Sequence, residues 1–256
     1  MTAPDDSPRQ IPPAIPLGAP GTVRGIVTGG SAPEARRDRR GPWALVALGL
    51  VLALPEAVLE LADAGLLGTP AWRPLAYTYG AFWSGLLRDW RPNYALQPAL
   101  MFVTYALLHN GPGHLLGNLA GLAWLGPPLA RRLGARRVLL AFWASALAGG
   151  AAFASLDAGP APMVGASGAV FGLAGLLATL GWRLRQRAGV APWPALSPSL
   201  GLALLLLAAN LLSWWVQGGL LAWQAHLGGA LAGAFLGAVL ALPALPQRPI
   251  LAKRRS

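Results

Sequence analysis

The chain has 256 residues, 55% of them apolar or aromatic and 11% charged, with a mean hydropathy of +0.50 and no cysteine. A water-soluble domain is about 45–50% apolar and about 25% charged, so this chain has too few polar side chains to clothe a water-facing surface. Its 20 Lys and Arg against 9 Asp and Glu leave +11, which suggests nucleic acid in a soluble protein but cytoplasmic loops in a membrane protein, so the positions of the charges decide.

Residues 1–40 contain seven prolines, five glycines and no apolar periodicity, and end in RRDRR. Such a segment cannot bury enough surface to offset its conformational entropy, and it is expected to be a disordered basic cytoplasmic tail rather than a cleavable signal peptide. Beyond it, uncharged stretches run over 92–130, 138–156, 158–182 and 188–247. A spanning helix needs about 20 apolar residues. These stretches, together with the apolar run after Gly41, predict six spans, at 43–61, 114–130, 138–156, 167–182, 200–216 and 225–242. The membrane domain is accordingly expected over 41–245, with a second basic cytoplasmic tail at 246–256.

The connections test this arrangement. Arginines and lysines number 17 in the two tails, the 131–137 turn and the 183–187 turn, against three (Arg73, Arg88 and Arg91) on the other side. That asymmetry predicts a multi-pass protein of the cell (inner or plasma) membrane with both termini cytoplasmic, which an even number of spans requires. The positive charge is then topological. A basic fringe of this kind attracts anionic lipid, and no aromatic-basic motif accompanies it that would read nucleic acid. The external segment 64–113 carries Trp72, Tyr77, Tyr79, Trp83, Trp90 and Tyr94, and such amphipathic aromatics predict a structured loop lying partly in the headgroup region.

With so few polar residues in the spans, each can be weighed singly. His114, Asn118, Ser167 and His226 stand out, and an ionisable side chain at membrane depth is a functional hypothesis by default. Ser167 lies in Gly165-Ala166-Ser167-Gly168-Ala169-Val170-Phe171-Gly172 after a proline-rich entry. This pattern places it near a helix N-terminus, where unpaired amides face a developing oxyanion. Gly168 and Gly172 also suit a close helix contact, and both readings hold together. The candidate base is His226. Gly229, Gly233 and Gly237 repeat every four residues behind it, clearing one helix face for the close approach of another backbone. If that neighbour is the Ser167 helix, the imidazole reaches the hydroxyl, and Phe171, one turn deeper than Ser167, is placed to stack on the ring. No carboxylate lies in either span, so the machinery would be a Ser-His dyad. His114 and Asn118 share one helix face and both donate hydrogen bonds, as an oxyanion site requires. His109 falls off that face and is expected to be structural.

A metal site is excluded by ligand supply, since no Cys, no HExxH and no neighbouring carboxylate is present. An intramembrane aspartyl mechanism is excluded by the absence of Asp deep in the spans.

His114-x-x-x-Asn118 on the second span, Gly165-Ala166-Ser167-Gly168 opening the fourth and Ala225-His226-x-x-Gly229 on the sixth together resemble the rhomboid intramembrane serine proteases. The bacterial six-helix members are the nearest in kind. The resemblance implies an all-α, six-transmembrane-helix bundle. It also implies Ser167 as nucleophile, His226 as general base and acid, and His114, Asn118 and the Ser167 amide as the oxyanion site, with Gly165, Gly168, Phe171 and Gly229 in support. No metal or cofactor is implied. Substrates would be single-span membrane proteins entering between the second and fifth helices and cut in or beside their transmembrane helix, in a water-filled cavity open to the outside. The family's Trp-Arg pair of the first external loop is not matched at Leu100-Met101-Phe102, while Trp72-Arg73 and Trp90-Arg91 both lie upstream. The rival readings are a rhomboid-like pseudoprotease, which binds membrane helices without cutting them, and a transporter. Pseudoproteases usually lack the Ser and His kept here, and a transporter would show intramembrane charges and paired repeats that are not apparent.

Overall fold

The computed structural model describes residues 41–156, 159–216 and 221–241. The tails expected at 1–40 and 246–256, and the domain limit at 245, lie outside the described residues. Eight α-helices follow in chain order: α1 (Gly41–Asp63), α2 (Trp72–Gly80), α3 (Gln97–Thr104), α4 (Pro112–Leu133), α5 (Ala135–Leu156), α6 (Ser167–Arg187), α7 (Pro192–Val216) and α8 (Trp223–Leu240). Short 3-10 turns at Ser84–Leu87 and Tyr105–Leu107 complete the described elements. Strand pairing among the described residues is limited to one antiparallel bridge between Phe82 and Met163.

The chain is thus an all-helical, multi-pass membrane protein. Helices α1, α5, α6, α7 and α8 are each long and apolar enough to cross a bilayer. The sixth long helix, α4, has the length, at 22 residues, but His114, Asn118 and its glycines and prolines make it less apolar than the other five. The outward faces of α1 and α7 leave Leu50, Leu54, Leu204, Leu207, Leu211 and Trp215 exposed, an apolar surface suited to acyl chains and not to water.

The helices outrun the predicted spans. The expected spans end at charged residues, yet α4 continues through Arg131 and Arg132 and α6 through Arg185 and Arg187, all in last turns. Cations there meet the negative end of the helix dipole while their stems run along apolar surface. Helix α7 begins at Pro192, eight residues before the expected Leu200. A proline in a first turn removes only an amide that has no partner there. Across the turn between them, Arg185 of α6 donates to the Ala195 carbonyl at 2.8 Å and to Ser199 Oγ at 3.0 Å, and Ser199 Oγ donates to the Ala178 carbonyl at 2.7 Å.

The segment between α1 and α4 is structured, as its aromatics suggested. Phe82 packs edge-on against Phe102, Tyr105 and Phe153, with ring centroids 4.8, 5.8 and 5.8 Å apart, joining the segment to α5. One cation ties it to α1. Arg73, at the start of α2, bonds Glu56 at 2.9 Å, Glu60 at 2.8 Å and Asp63, and donates to the His109 carbonyl at 3.2 Å. Glu56 is 1% exposed. A carboxylate so deeply buried is tolerable only when paired, so Arg73 explains how α1 carries an acid inside its apolar stretch.

Candidate active site

The chain entering α6 is stitched to the segment between α1 and α4. Phe82 and Met163 exchange two backbone hydrogen bonds of 2.9 Å, and the Gly165 amide donates to the Tyr105 carbonyl at 2.9 Å. Gly165 has φ +118, a backbone region that L side chains rarely enter and glycine enters freely. The turn it makes sets Ser167 as the first residue of α6, behind Ala166 and with no side-chain cap. The amides of that first turn have no acceptor within the helix.

Helices α6 and α8 run unusually close together. A Cβ on Gly229 would strike the Gly168 carbonyl oxygen, and one on Gly233 would strike that of Gly172. Farther along, a Cβ on Gly237 would sit 2.8 Å from the Leu176 oxygen. The four-residue glycine repeat therefore clears the whole face of α8 for α6. In a bilayer, where hydrophobic association is absent, such van der Waals contact is the main force holding helices together.

This approach brings the side chains of Ser167 and His226 together. His226 Nε2 lies 2.7 Å from Ser167 Oγ, within the range in which a base takes a hydroxyl proton. The imidazole is 6% exposed. Its face is covered by the Phe171 ring, with centroids 4.2 Å apart and planes within 9°. Its second nitrogen, Nδ1, lies 2.6 Å from Asn210 Oδ1 on α7.

His114 enters from α4. The Asn110 amide donates to its Nδ1 at 3.3 Å, which leaves the proton on Nε2. That nitrogen edge lies over Gly165, where an added Cβ would meet Nε2 at 2.6 Å. Asn118, buried one turn deeper, donates one amide hydrogen to the His114 carbonyl at 3.2 Å and keeps a second. His109, wholly buried, packs its ring edge-on against that of His114, with centroids 5.3 Å apart; its carbonyl accepts from Arg73 and from the Tyr77 hydroxyl at 2.6 Å.

Ser167, His226 and Phe171 are thus in direct contact, Gly168 and Gly229 set their spacing, and His114 lies on Gly165 with Asn118 behind it. Sequence reasoning missed Asn210. The signal was available, because Asn210 is the one carboxamide in α7, a strongly polar group in an apolar span as His226 is in its own.

Residues 97–243 match the Rhomboid domain, a stretch that takes in α3 to α8 and every residue of this cluster, while α1 and α2 precede it. A comparison with curated proteins gives no match. With more than half of the chain matched, and its apolar helices assembled into a polytopic bundle, the protein belongs to the rhomboid family.

Proposed function

We propose that this protein is an intramembrane serine endopeptidase, with Ser167 as nucleophile and His226 as general base and acid. The observation that carries the reading is the 2.7 Å contact between Ser167 Oγ and His226 Nε2 at a helix start whose amides have no acceptor within the helix. Ser167 Oγ attacks the scissile carbonyl carbon while its proton passes to Nε2. The resulting oxyanion takes hydrogen bonds from the Ser167 amide, His114 Nε2–H and the free Asn118 amide hydrogen. Collapse breaks the C–N bond, and His226 returns the proton to the departing amine. Water then adds to the acyl-enzyme, giving its proton to His226, and the Ser167 ester bond breaks to release a carboxylic acid and restore the hydroxyl.

The substrates are single-span membrane proteins, entering between α4 and α7. A transmembrane helix hides its peptide bonds by bonding them internally, so the segment to be cut must unwind, and glycine, proline or other weak helix formers near the scissile bond lower that cost. The 17-to-3 distribution of basic residues supports cytoplasmic termini in the cell membrane, which places Ser167, His226 and His114 at the outer ends of their helices.

The test is incubation of detergent-purified protein with a panel of single-span substrates, with cut sites mapped by mass spectrometry, alongside fluorophosphonate labelling. Wild type cleaves and labels at Ser167, whereas folded Ser167→Ala and His226→Ala proteins do neither. Equal cleavage by Ser167→Ala overturns the nucleophile, and a folded wild type that neither labels nor cleaves is a pseudoprotease.

A further inference from the structure

We propose that Asn210 of α7 is the positioning residue of the Ser167–His226 pair, acting through His226 and touching no substrate; this rests on the protease reading above. A general base must offer an unprotonated nitrogen to the nucleophile. Neutral imidazole carries one proton, so Nε2 is free only when Nδ1 holds it. Asn210 Oδ1 lies 2.6 Å from Nδ1, and an amide oxygen only accepts. The contact therefore stabilises the Nδ1–H tautomer and presents the Nε2 lone pair to the hydroxyl 2.7 Å away. Phe171, stacked at 4.2 Å, fixes the ring plane but not the tautomer. Stacking and hydrogen bond together leave the imidazole one orientation and one protonation pattern.

The partner comes from a third helix. Among the pairings of α7, the extensive one is with α6, anchored at its start by Arg185 and Ser199. Toward its other end, Asn210 bonds directly to α8. In a span flanked by Leu206, Leu207, Leu211 and Leu212, an amide with no partner would be costly, so the bond also holds that part of α7 against the site. The carboxylate that serves this purpose in soluble serine hydrolases would add a buried charge here. A neutral amide gives the same acceptor without one.

The test uses the full chain in detergent micelles, labelled with 15N-histidine, whose three imidazoles are separable. Two-bond proton–nitrogen correlations report the tautomer of His226, and fluorophosphonate reports the acylation rate of Ser167. The expected results are Nδ1–H in wild type, a shift toward Nε2–H in Asn210→Leu with labelling slowed by about 10-fold or more, and recovery of both in Asn210→Asp, which keeps an acceptor at the same reach. Melting temperatures establish that the variants are folded. An Nε2–H tautomer in wild type, which the reversed Asn210 amide would impose, overturns the proposal. An Asn210→Leu protein with unchanged tautomer and labelling rate overturns it equally, and leaves the protease reading standing. A wild type that shows Nδ1–H, loses it in Asn210→Leu and takes no label refutes the protease and keeps the hold of Asn210 on His226.

Discussion

Replacing Gly229 by alanine tests whether the spacing of α6 and α8 sets the chemistry. The new Cβ falls well inside the contact distance of the Gly168 carbonyl oxygen, and because that oxygen is backbone, no side-chain rotation relieves the clash. The two helices must part by about 1 Å at this level, and overpacking of this kind costs about 1–3 kcal/mol. Gly229 lies one turn from His226, and Gly168 adjoins Ser167. The same displacement stretches the 2.7 Å Ser167–His226 contact beyond hydrogen-bonding range. A misplacement of about 1 Å between reacting groups costs about 100-fold in rate. Gly237 is the internal comparison. It lies about 12 Å farther along the helix, and a Cβ there meets Leu176 O at 2.8 Å, so Gly237→Ala lowers stability with a much smaller effect on rate. The assay is the second-order rate of Ser167 labelling by a fluorophosphonate in micelles, with the thermal melt of each variant. Labelling of Gly229→Ala at the wild-type rate, or equal rate losses at Gly229 and Gly237, would refute the claim that this contact aligns the pair.

Two further expectations concern the segment between α1 and α4. Arg73→Leu leaves Glu56, 1% exposed, without its cation, a change that costs about 3–5 kcal/mol when a buried pair is broken from one side. The double variant Arg73→Leu/Glu56→Leu recovers most of that loss, because the uncompensated charge is gone; thermal melts that show the double variant no better than the single refute the pairing. His109, buried and then further disfavoured as a cation by His114, has its imidazole pushed down to about 4 from an ordinary value near 6.5. Between these values the unfolded chain binds a proton that the folded chain does not, so stability rises with pH through that window and is lost as pH falls toward 4. The full effect is about 3 kcal/mol. His109→Gln flattens the melting temperature against pH between about 4 and 6.5 by one proton's worth, and an unchanged slope counts against the assignment.

Much of this protein was legible in its sequence because the bilayer permits few solutions. With no water to satisfy backbone groups, an apolar run of sufficient length must be helical, so α1, α5, α6, α7 and α8 were recognisable from hydropathy, and α4 from its length and position. The same scarcity of polar groups exposed Ser167, His226, His114 and Asn118. Helix ends were less legible: Arg131, Arg132, Arg185 and Arg187 continue their helices, because a long cationic side chain can reach the interface from a last turn. The equivalent of the family's Trp-Arg pair stayed open in the sequence, and the structure gives Arg73 a definite task, pairing the buried Glu56 of α1.

Composition and order along the chain determined that this is a polytopic helical membrane protein of the rhomboid family, and which polar residues its spans contain. Only the tertiary structure decided which of them meet. Hydropathy counts residues along a helix axis but carries no azimuth between helices, and a hydrogen bond is made or lost within about half an ångström. The glycine face of α8 announced a close neighbour without naming it, and the fold supplied α6 in the register that sets Ser167 against His226. Asn210 is the clearest case. Its bond to His226 joins residues 16 apart in sequence and on different helices, and no spacing within either helix implies it.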